Sequence, residues 1–493
     1  MRRFSPLSVP VTAAIEHRAL GGLVGAATSL CIAQLGQQRQ QPTLLLTHDT
    51  NEAVRMFGEL RYLNQTQPNV ILLPDREILP YDAFSPHEDI TSERLSCLAA
   101  LTGSTSPWLL IVPITNALIR LPPPSFLQHM FAATVGDTFN LTHIKQQLTQ
   151  IGYHSVEQVF AHGEFAVRGA ILDIFPMGSK QPYRIELFDD VVETIRTFDV
   201  DTQRSGTTIT TVQILPAKEF PTDAAGIDTF RQQYRAYFKQ TPQGQNALYH
   251  QVSQGRFPSG IEAYLPLFFE ETVTLFDYLP ATTQVLLTGE VHQACEQHLL
   301  EVNKRFNNYN VDSQRPLLAP SKLYLNTAEL FQRLKAYPQV HLHATHQPKR
   351  PQAAVATLPN LAVDHKQTNP MTSLYDFVEQ TQQRIVLCVA SQGRREVLHN
   401  LLQQAHLSAH DFAHWYDFAQ SSAKLGCIIA PFDQGCHFED DGLILISENE
   451  LFQHNLTPQR KRRKASQAAD SIIRDLAELQ LGQPVVHLEH GIG

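Results

Sequence analysis

The stretch TLLLTHDTNEAVRMFGELRYLNQTQPNVILLP, residues 43–74, reads as strand, helix, strand. TLLLTHD (43–49) is a short unbroken apolar run of the kind buried on both faces of a parallel sheet. NEAVRMFGELRYL (51–63) repeats its apolar residues at helical spacing, and NVILLP (69–74) and WLLIVP (108–113) are further buried runs. Strands alternating with helices build a parallel α/β layer. Between two of these strands, LPYDAFSPHEDITSERLSCLAAL (79–101) is a Pro-rich loop running into a helix, with Thr91 and Ser92 as candidate caps.

Outward from this layer the pattern changes. LPPPSF (121–126) breaks it, and from about 131 to 213 the segments are strand-like, with turn signals at MGSKQP (177–182) and QRSG (203–206), the mark of a sheet-rich insertion. ILPAKEFPTD (214–223) returns the chain to helices and loops through about residue 345, and HQPKRPQAAVATLPNLAV (346–363) is a second boundary. A small α/β unit follows, with helices at TSLYDFVEQTQQ (372–383) and RREVLHNLLQQA (394–405) and strands at RIVLCVA (384–390), CIIAPF (427–432) and GLILISE (442–448). The expected fold class is multidomain α/β: a first part of a parallel layer at 1–125, an inserted α+β domain at 126–213, the remainder of the first module at 214–350, a small α/β third domain at 351–452, a basic linker and helix at 453–480, and a strand-like start of a further domain at 481–493. A chain that stops on HGIG reads as a piece of something longer.

Size and composition agree with several domains. The 493 residues suggest about three or four units of roughly 100 to 200 residues each. Apolar content of 43% and charged content of 18% are those of a globular protein, and no window holds the ~18 continuous apolar residues of a membrane span. The amino terminus lacks the apolar core and cleavage site of a secretory signal. Cys31, Cys97, Cys295, Cys388, Cys427 and Cys436 are scattered with no C-x-x-C pair, which reads as buried thiols in a reducing cytoplasm. A net charge of −9 weighs against DNA binding through the overall field. The dense basic run Arg460, Lys461, Arg462, Arg463, Lys464 reads as a solvated linker, with a local nucleic-acid contact as the alternative.

The chemistry of a nucleotide site is missing where it would be sought. ALGGLVGAATSL (19–30), on the helix before the first clear strand, has Gly21, Gly22 and Gly25 but then Ala26 and Ala27 where a phosphate-binding loop needs Lys and Ser or Thr. No Gly-Lys and no Asp-Glu dipeptide occurs in the chain. G-x-S-x-G, H-E-x-x-H and G-x-G-x-x-G are absent as well. His341 and His343 share a strand face with His346 beyond, and His292 and His298 lie on a helix; all read as solvated histidines rather than ligands. Glu439, Asp440 and Asp441 read as a turn before a strand.

HGEFAVRGAILDIFPMGSKQPYRIELFDD (162–190) is the one stretch whose polar residues ask for a partner. In YRIELFDD the two-residue period puts Ile185 and Leu187 on the core side and sends Arg184, Glu186 and Phe188 outward. An exposed aromatic beside an arginine has the composition of a protein-binding hot spot. Gly169 is a candidate bulge that re-aims Arg168. The plainer alternative is a surface network in which both arginines pair with Glu186, Asp189 or Asp190.

RGAILDIFP (168–176) followed by YRIELFDDVVETIRTFD (183–199) closely resembles the inserted domain of the bacterial excision-repair protein UvrB, the part that receives UvrA. ILPYDAFSPHEDITSERLSCL, ILPAKEFP and GQPVVHLEHGIG are similar more specifically to the transcription-repair coupling factor (Mfd) family, and the likeness spans essentially the whole chain. The resemblance implies the amino-terminal part of such a factor, with a degenerate RecA/helicase-like parallel layer, no working ATPase here, and no catalytic or metal site. It implies a UvrA-binding surface at Arg168, Arg184 and Phe188, masked in the resting full-length protein by a distant carboxy-terminal domain. It also implies RNA polymerase as a partner of the full-length protein, DNA contact mainly through a translocase motor beyond this chain, and ATP and magnesium confined to that motor. No Tyr-rich hairpin for damaged DNA stands between Leu20 and Trp108, so damage verification is not carried over. A cytoplasmic UvrA-recruiting module is thus the leading expectation; its rivals are an ATP-dependent helicase or nuclease half with an unrecognised nucleotide site, and a DNA binder acting through residues 460–464.

Overall fold

The structure is a computed structural model that describes residues 3–9, 18–39, 41–64, 68–103, 106–127, 131–239, 247–312, 314–363, 369–452, 486–487 and 491–492. Three sheets carry the fold. The first has six strands in the order Ala19–Leu20, Gln339–Leu342, Gln284–Thr288, Thr43–Thr47, Trp108–Pro113, Asn69–Leu72, all parallel. Its central strands are buried along their whole length, the condition their unbroken apolar runs satisfy. The helix Thr50–Leu63 starts where the Asp49 carboxylate accepts from Glu52 N at 2.7 Å, so a cap fixes the turn out of the strand. The helix Glu88–Gly103 begins three residues before Thr91, which places Thr91 and Ser92 inside it and not at its cap; two acidic residues, Glu88 and Asp89, occupy its first turn.

The segment after the insertion differs from its helix-and-loop reading. QVLLT (Gln284–Thr288) inserts beside Thr43–Thr47, and Gln339–Leu342 follows it, so the centre of the first sheet is completed by chain more than 200 residues downstream.

The second sheet is the insertion. Its order is Ser205–Ile209, Val191–Phe198, Tyr183–Phe188, Ile171–Ile174, Glu164–Arg168, His154–Ser155, antiparallel except for the last pair. Phe131–Thr134 pairs antiparallel with Thr211–Ile214 and ties the entry of the insertion to its exit. The inner face of this sheet shares one apolar core with the first sheet: Leu172, Ile185 and Ile195 belong to the same cluster as Leu44, Leu98 and Leu110.

The third sheet has the order Val355–Ala356, Cys436–Phe438, Leu443–Ser447, Arg384–Val389, Leu425–Ile429, His410–Asp411 and is mixed in direction. It too is fused to the first layer, since Val386, Trp415, Phe432 and Phe438 pack in one cluster with Leu30, Ile32, Met56 and Leu60. The short strand Arg3–Phe4 runs parallel to Gln352–Ala353, and Arg3 forms an ion pair with Glu439. Val486–His487 pairs with Gly491–Ile492, and the basic run 460–464 lies outside the described residues. All six cysteines are free and buried. Among the described residues no helix is long and apolar enough to cross a membrane.

Candidate protein-docking face

The outer face of the inserted sheet is built from two tight hairpins. Glu164–Arg168 turns into Ile171–Ile174 through Gly169 and Ala170, with Gly169 at φ +60°; glycine in the first central position suits the turn geometry that right-twisted strands require. Gly169 therefore makes the turn and is not a bulge. The register shifts in this sheet lie instead between Glu186 and Leu187 and between Arg196 and Phe198. Tyr183–Phe188 turns into Val191–Phe198 through Asp189 and Asp190, both at positive φ (45° and 63°), a conformation that short polar residues tolerate.

Register then sets the polar row. Ala166, Asp173, Arg184, Arg196 and Thr208 lie side by side across four strand pairings. Asp173 is only 1% exposed, and Arg184 embraces it with Nε to Oδ1 at 2.7 Å and Nη2 to Oδ2 at 2.9 Å. Arg168 Nη2 donates to the same Oδ2. Arg184 Nη1 also donates to Gln203 O and Ser205 Oγ, both at 3.3 Å, and the guanidinium lies 5.2 Å above the Phe198 ring. Its hydrogen bonds to Asp173 push the already high Arg184 pKa further up.

This geometry corrects two sequence readings. Ile185 and Leu187 do face the core, but Arg184 and Phe188 do not reach solvent together: the Arg184 side chain is 16% exposed and held down, whereas Phe188 is 68% exposed. The arginines are paired, yet with Asp173 and not with Glu186, Asp189 or Asp190; Glu186 accepts from Thr194 Oγ1 at 2.8 Å. Arg168, 52% exposed, keeps part of its guanidinium free for solvent. Leu187 N donates to Ala170 O, so Arg168 and Phe188 lie at the same end of the sheet. There Phe188 pairs with exposed Val191 across the turn, and exposed Val135 stands close by, where Gly136 N donates to Val192 O. Three apolar side chains and one half-free arginine form the tip. Asp173 was the residue the sequence concealed; its only signal is a carboxylate in the apolar run AILDIF.

The glycine stretch 19–30 is strand, loop and helix rather than helix alone: Ala19–Leu20 pairs with Gln339–Leu342, and the helix Ala27–Arg39 follows Gly25. The place in front of that helix is occupied. Ala26 N donates to Gln434 O at 3.0 Å, and a Cβ at Gly25, where φ is +55°, would overlap the Gly435 carbonyl. The intruding loop is tied to the third sheet by Gly435 N to Glu450 Oε1 (2.8 Å), Ser447 Oγ to Asp433 O (2.9 Å) and Asn449 Nδ2 to Asp433 O (3.0 Å).

The histidines divide. His292 is exposed beside Glu296, but His298 is half-buried against Tyr324, and burial lowers its pKa. His341 stacks on His343 at 6.1 Å between centroids and is likewise lowered by burial, so neither His298 nor His341 is a solvated position. Glu439 and Asp441 take partners from the amino-terminal strand region, Arg3 and Ser5, at the turn before Leu443–Ser447.

Residues 131–220 match the family model of the UvrB interaction domain, and residues 377–451 match that of the MFD D3 domain. The transcription-repair-coupling factor of Haemophilus influenzae is 38% identical over 483 residues, covering 97% of this chain and 42% of that protein. That of Escherichia coli is 39% identical over 493 residues, covering 99% and 42%. The chain belongs to the transcription-repair-coupling factor family. It spans about two-fifths of the length of these relatives, as it does of the Bacillus subtilis transcription-repair-coupling factor, 27% identical over 507 residues. Within the coupling-factor frame, the Asp173 row and the Phe188 tip lie in the segment matched as the UvrB interaction domain, and the strands from Arg384 to Ser447 lie in the matched D3 domain.

Proposed function

We propose that this chain is the UvrA-recruiting portion of a transcription-repair coupling factor, with the tip of the inserted sheet as its docking surface. The observation that carries this reading is the apolar cluster of Phe188, Val191 and Val135 beside Arg168, exposed on a sheet that matches the UvrB interaction domain. Arg168 and Phe188 are the contact residues. Arg184 acts through Asp173: it holds a buried carboxylate and so positions Arg168. In the longer protein this surface links RNA polymerase stalled at lesions to excision repair, and the ATP-driven motor with its magnesium belongs to the remaining part.

Binding of the intact chain to purified UvrA, followed by calorimetry, tests this. Phe188→Ala removes an exposed ring from no core contact and is expected to cost on the order of 2 kcal/mol, roughly 30-fold in Kd. Arg168→Glu is expected to weaken binding further, while Arg184→Glu, which strands Asp173, is not a clean test of contact. An unchanged Kd for Phe188→Ala with a folded spectrum would remove the tip from the interface.

The first sheet we read as a RecA/helicase-like layer whose phosphate place is taken by the third domain. Support comes from the carbonyl of Gln434 on Ala26 N, in the position where a phosphate oxygen would accept, and from the absence of Lys after Gly25. The expected result is no saturable ATP binding by this chain at millimolar nucleotide and no hydrolysis. Turnover by purified material would instead support the helicase or nuclease reading.

A further inference from the structure

Away from both surfaces described above, three chemically different ligating groups converge in the third sheet: His399, Asp411 and Cys427, whose ligand atoms all lie within 4.8 Å of one another. They come from three elements. His399 stands on the helix Gln392–Gln404, Asp411 on the edge strand His410–Asp411, and Cys427 on the neighbouring strand Leu425–Ile429. Asp411 and Cys427 are register partners in a parallel pair, and Phe412 N donates to Cys427 O at 2.9 Å, so backbone hydrogen bonds fix their spacing. His399 Nε2 contacts Asp411 Oδ1 at 2.7 Å, and Arg395 Nε lies 3.5 Å from Oδ2, the oxygen turned away from the imidazole. Among the described residues no other group of three His, Cys, Asp or Glu side chains converges in this way.

We propose that His399, Asp411 and Cys427 bind a zinc ion that pins the edge strand and the helix Gln392–Gln404 to the third sheet. The donor set selects the metal: one thiolate sulfur, one imidazole nitrogen and one carboxylate oxygen suit a borderline tetrahedral ion, and a magnesium or calcium ion would want oxygen alone. The fourth position faces solvent on the side of Asp411, which is exposed, and takes water. Arg395 orients the carboxylate from outside the ligand shell, as outer partners of metal sites do. On binding, the Cys427 S–H bond breaks, its proton leaves to solvent, and the sulfur lone pair forms the bond to zinc. The proton that His399 Nε2 gives to Asp411 Oδ1 in the ion-free site is exchanged through solvent to Nδ1, so that the Nε2 lone pair is free to coordinate. Cys427 is buried and enters as the thiol, so about one proton is released per zinc taken up at neutral pH.

The test is a titration of the intact, chelator-treated chain with cobalt(II) and then zinc. The expected result is one equivalent bound, an intense near-ultraviolet thiolate-to-cobalt band that zinc abolishes, and a zinc-dependent rise in Tm. Cys427→Ser should lose the band. Asp411→Asn changes a half-exposed side chain and keeps the sulfur, so it serves if the serine variant fails to fold; it should weaken cobalt affinity by about tenfold or more. No saturable band at micromolar metal in the folded chain, or affinity unaltered by Asp411→Asn, would overturn the assignment.

Discussion

Glu219→Gln is expected to destabilise the fold by about 3–5 kcal/mol, the cost of breaking a buried ion pair from one side. Glu219, in the segment that leaves the inserted domain, is buried between two guanidinium groups: Arg94 Nε contacts Oε1 at 2.5 Å and Arg76 Nη2 contacts Oε2 at 2.5 Å. Arg94 is itself fully buried and gives Nη1 to Pro74 O at 2.8 Å, so the pair joins the carboxyl end of the strand Asn69–Leu72 and the helix Glu88–Gly103 to the exit of the insertion. Without the carboxylate both cations stay buried and uncompensated.

The same group sets an acid limit. Burial alone would push the Glu219 carboxyl up, but Arg76 and Arg94 override it and hold it at about 2, against an ordinary 4.5. A depressed carboxyl contributes stability that is present above its unfolded pKa and lost as pH falls through the folded one, here between about 4.5 and 2. Glu59, buried against Arg55 and raised by that burial, acts with the opposite sign, so the informative quantity is the difference between the wild type and Glu219→Gln, in which Glu59 cancels. Urea denaturation at a series of pH values should show that difference shrinking on acidification below pH ~4.5; a constant difference would mean that the Glu219 carboxyl titrates alike in the folded and unfolded chain.

Trp415→Ala is the second large effect, expected at about 3–5 kcal/mol. Trp415 is fully buried among Phe418, Phe432 and Phe438, with ring centroids at 6.5, 6.4 and 6.0 Å. Its backbone N donates to Tyr62 Oη at 2.9 Å, and His414 stacks on Tyr62 at 4.3 Å, so this turn carries the contact between the third sheet and the helix Thr50–Leu63. Loosening that contact should release the Gln434–Gly435 loop. Hydrogen exchange at the Ala26 amide, which donates to Gln434 O, is the specific readout and should speed up together with the loss in denaturant midpoint. Retained protection at Ala26 in an otherwise destabilised variant would show that the loop is held by the first layer alone.

Much of the architecture was legible because it is local. Unbroken apolar runs marked the parallel strands 43–47 and 108–113, helical spacing marked 50–63, and the two-residue period aimed Ile185 and Leu187 inward. The start of Glu88–Gly103 is not legible from capping residues, because Thr91 and Ser92 lie one turn inside a helix whose start is acidic. QVLLT lies in a weakly patterned region, since five residues between loops carry little periodicity until a neighbouring strand exists to pair with them.

The amino-acid sequence by itself determined the α/β class, the sheet-rich insertion with Arg168, Arg184 and Phe188 on it, and the missing lysine after Gly25, because each depends on residue type and on spacing within a few positions. Tertiary structure alone decided that Arg168 and Arg184 share Asp173, that Glu219 meets Arg76 and Arg94 across more than 120 residues, and that Gln434 and Gly435 fill the space before Ala27. Those pairings arise from strand register and from the packing of one sheet on another, and a carboxylate buried beside two guanidiniums has the same local sequence as one in water; only the fold removes the solvent and supplies the partner.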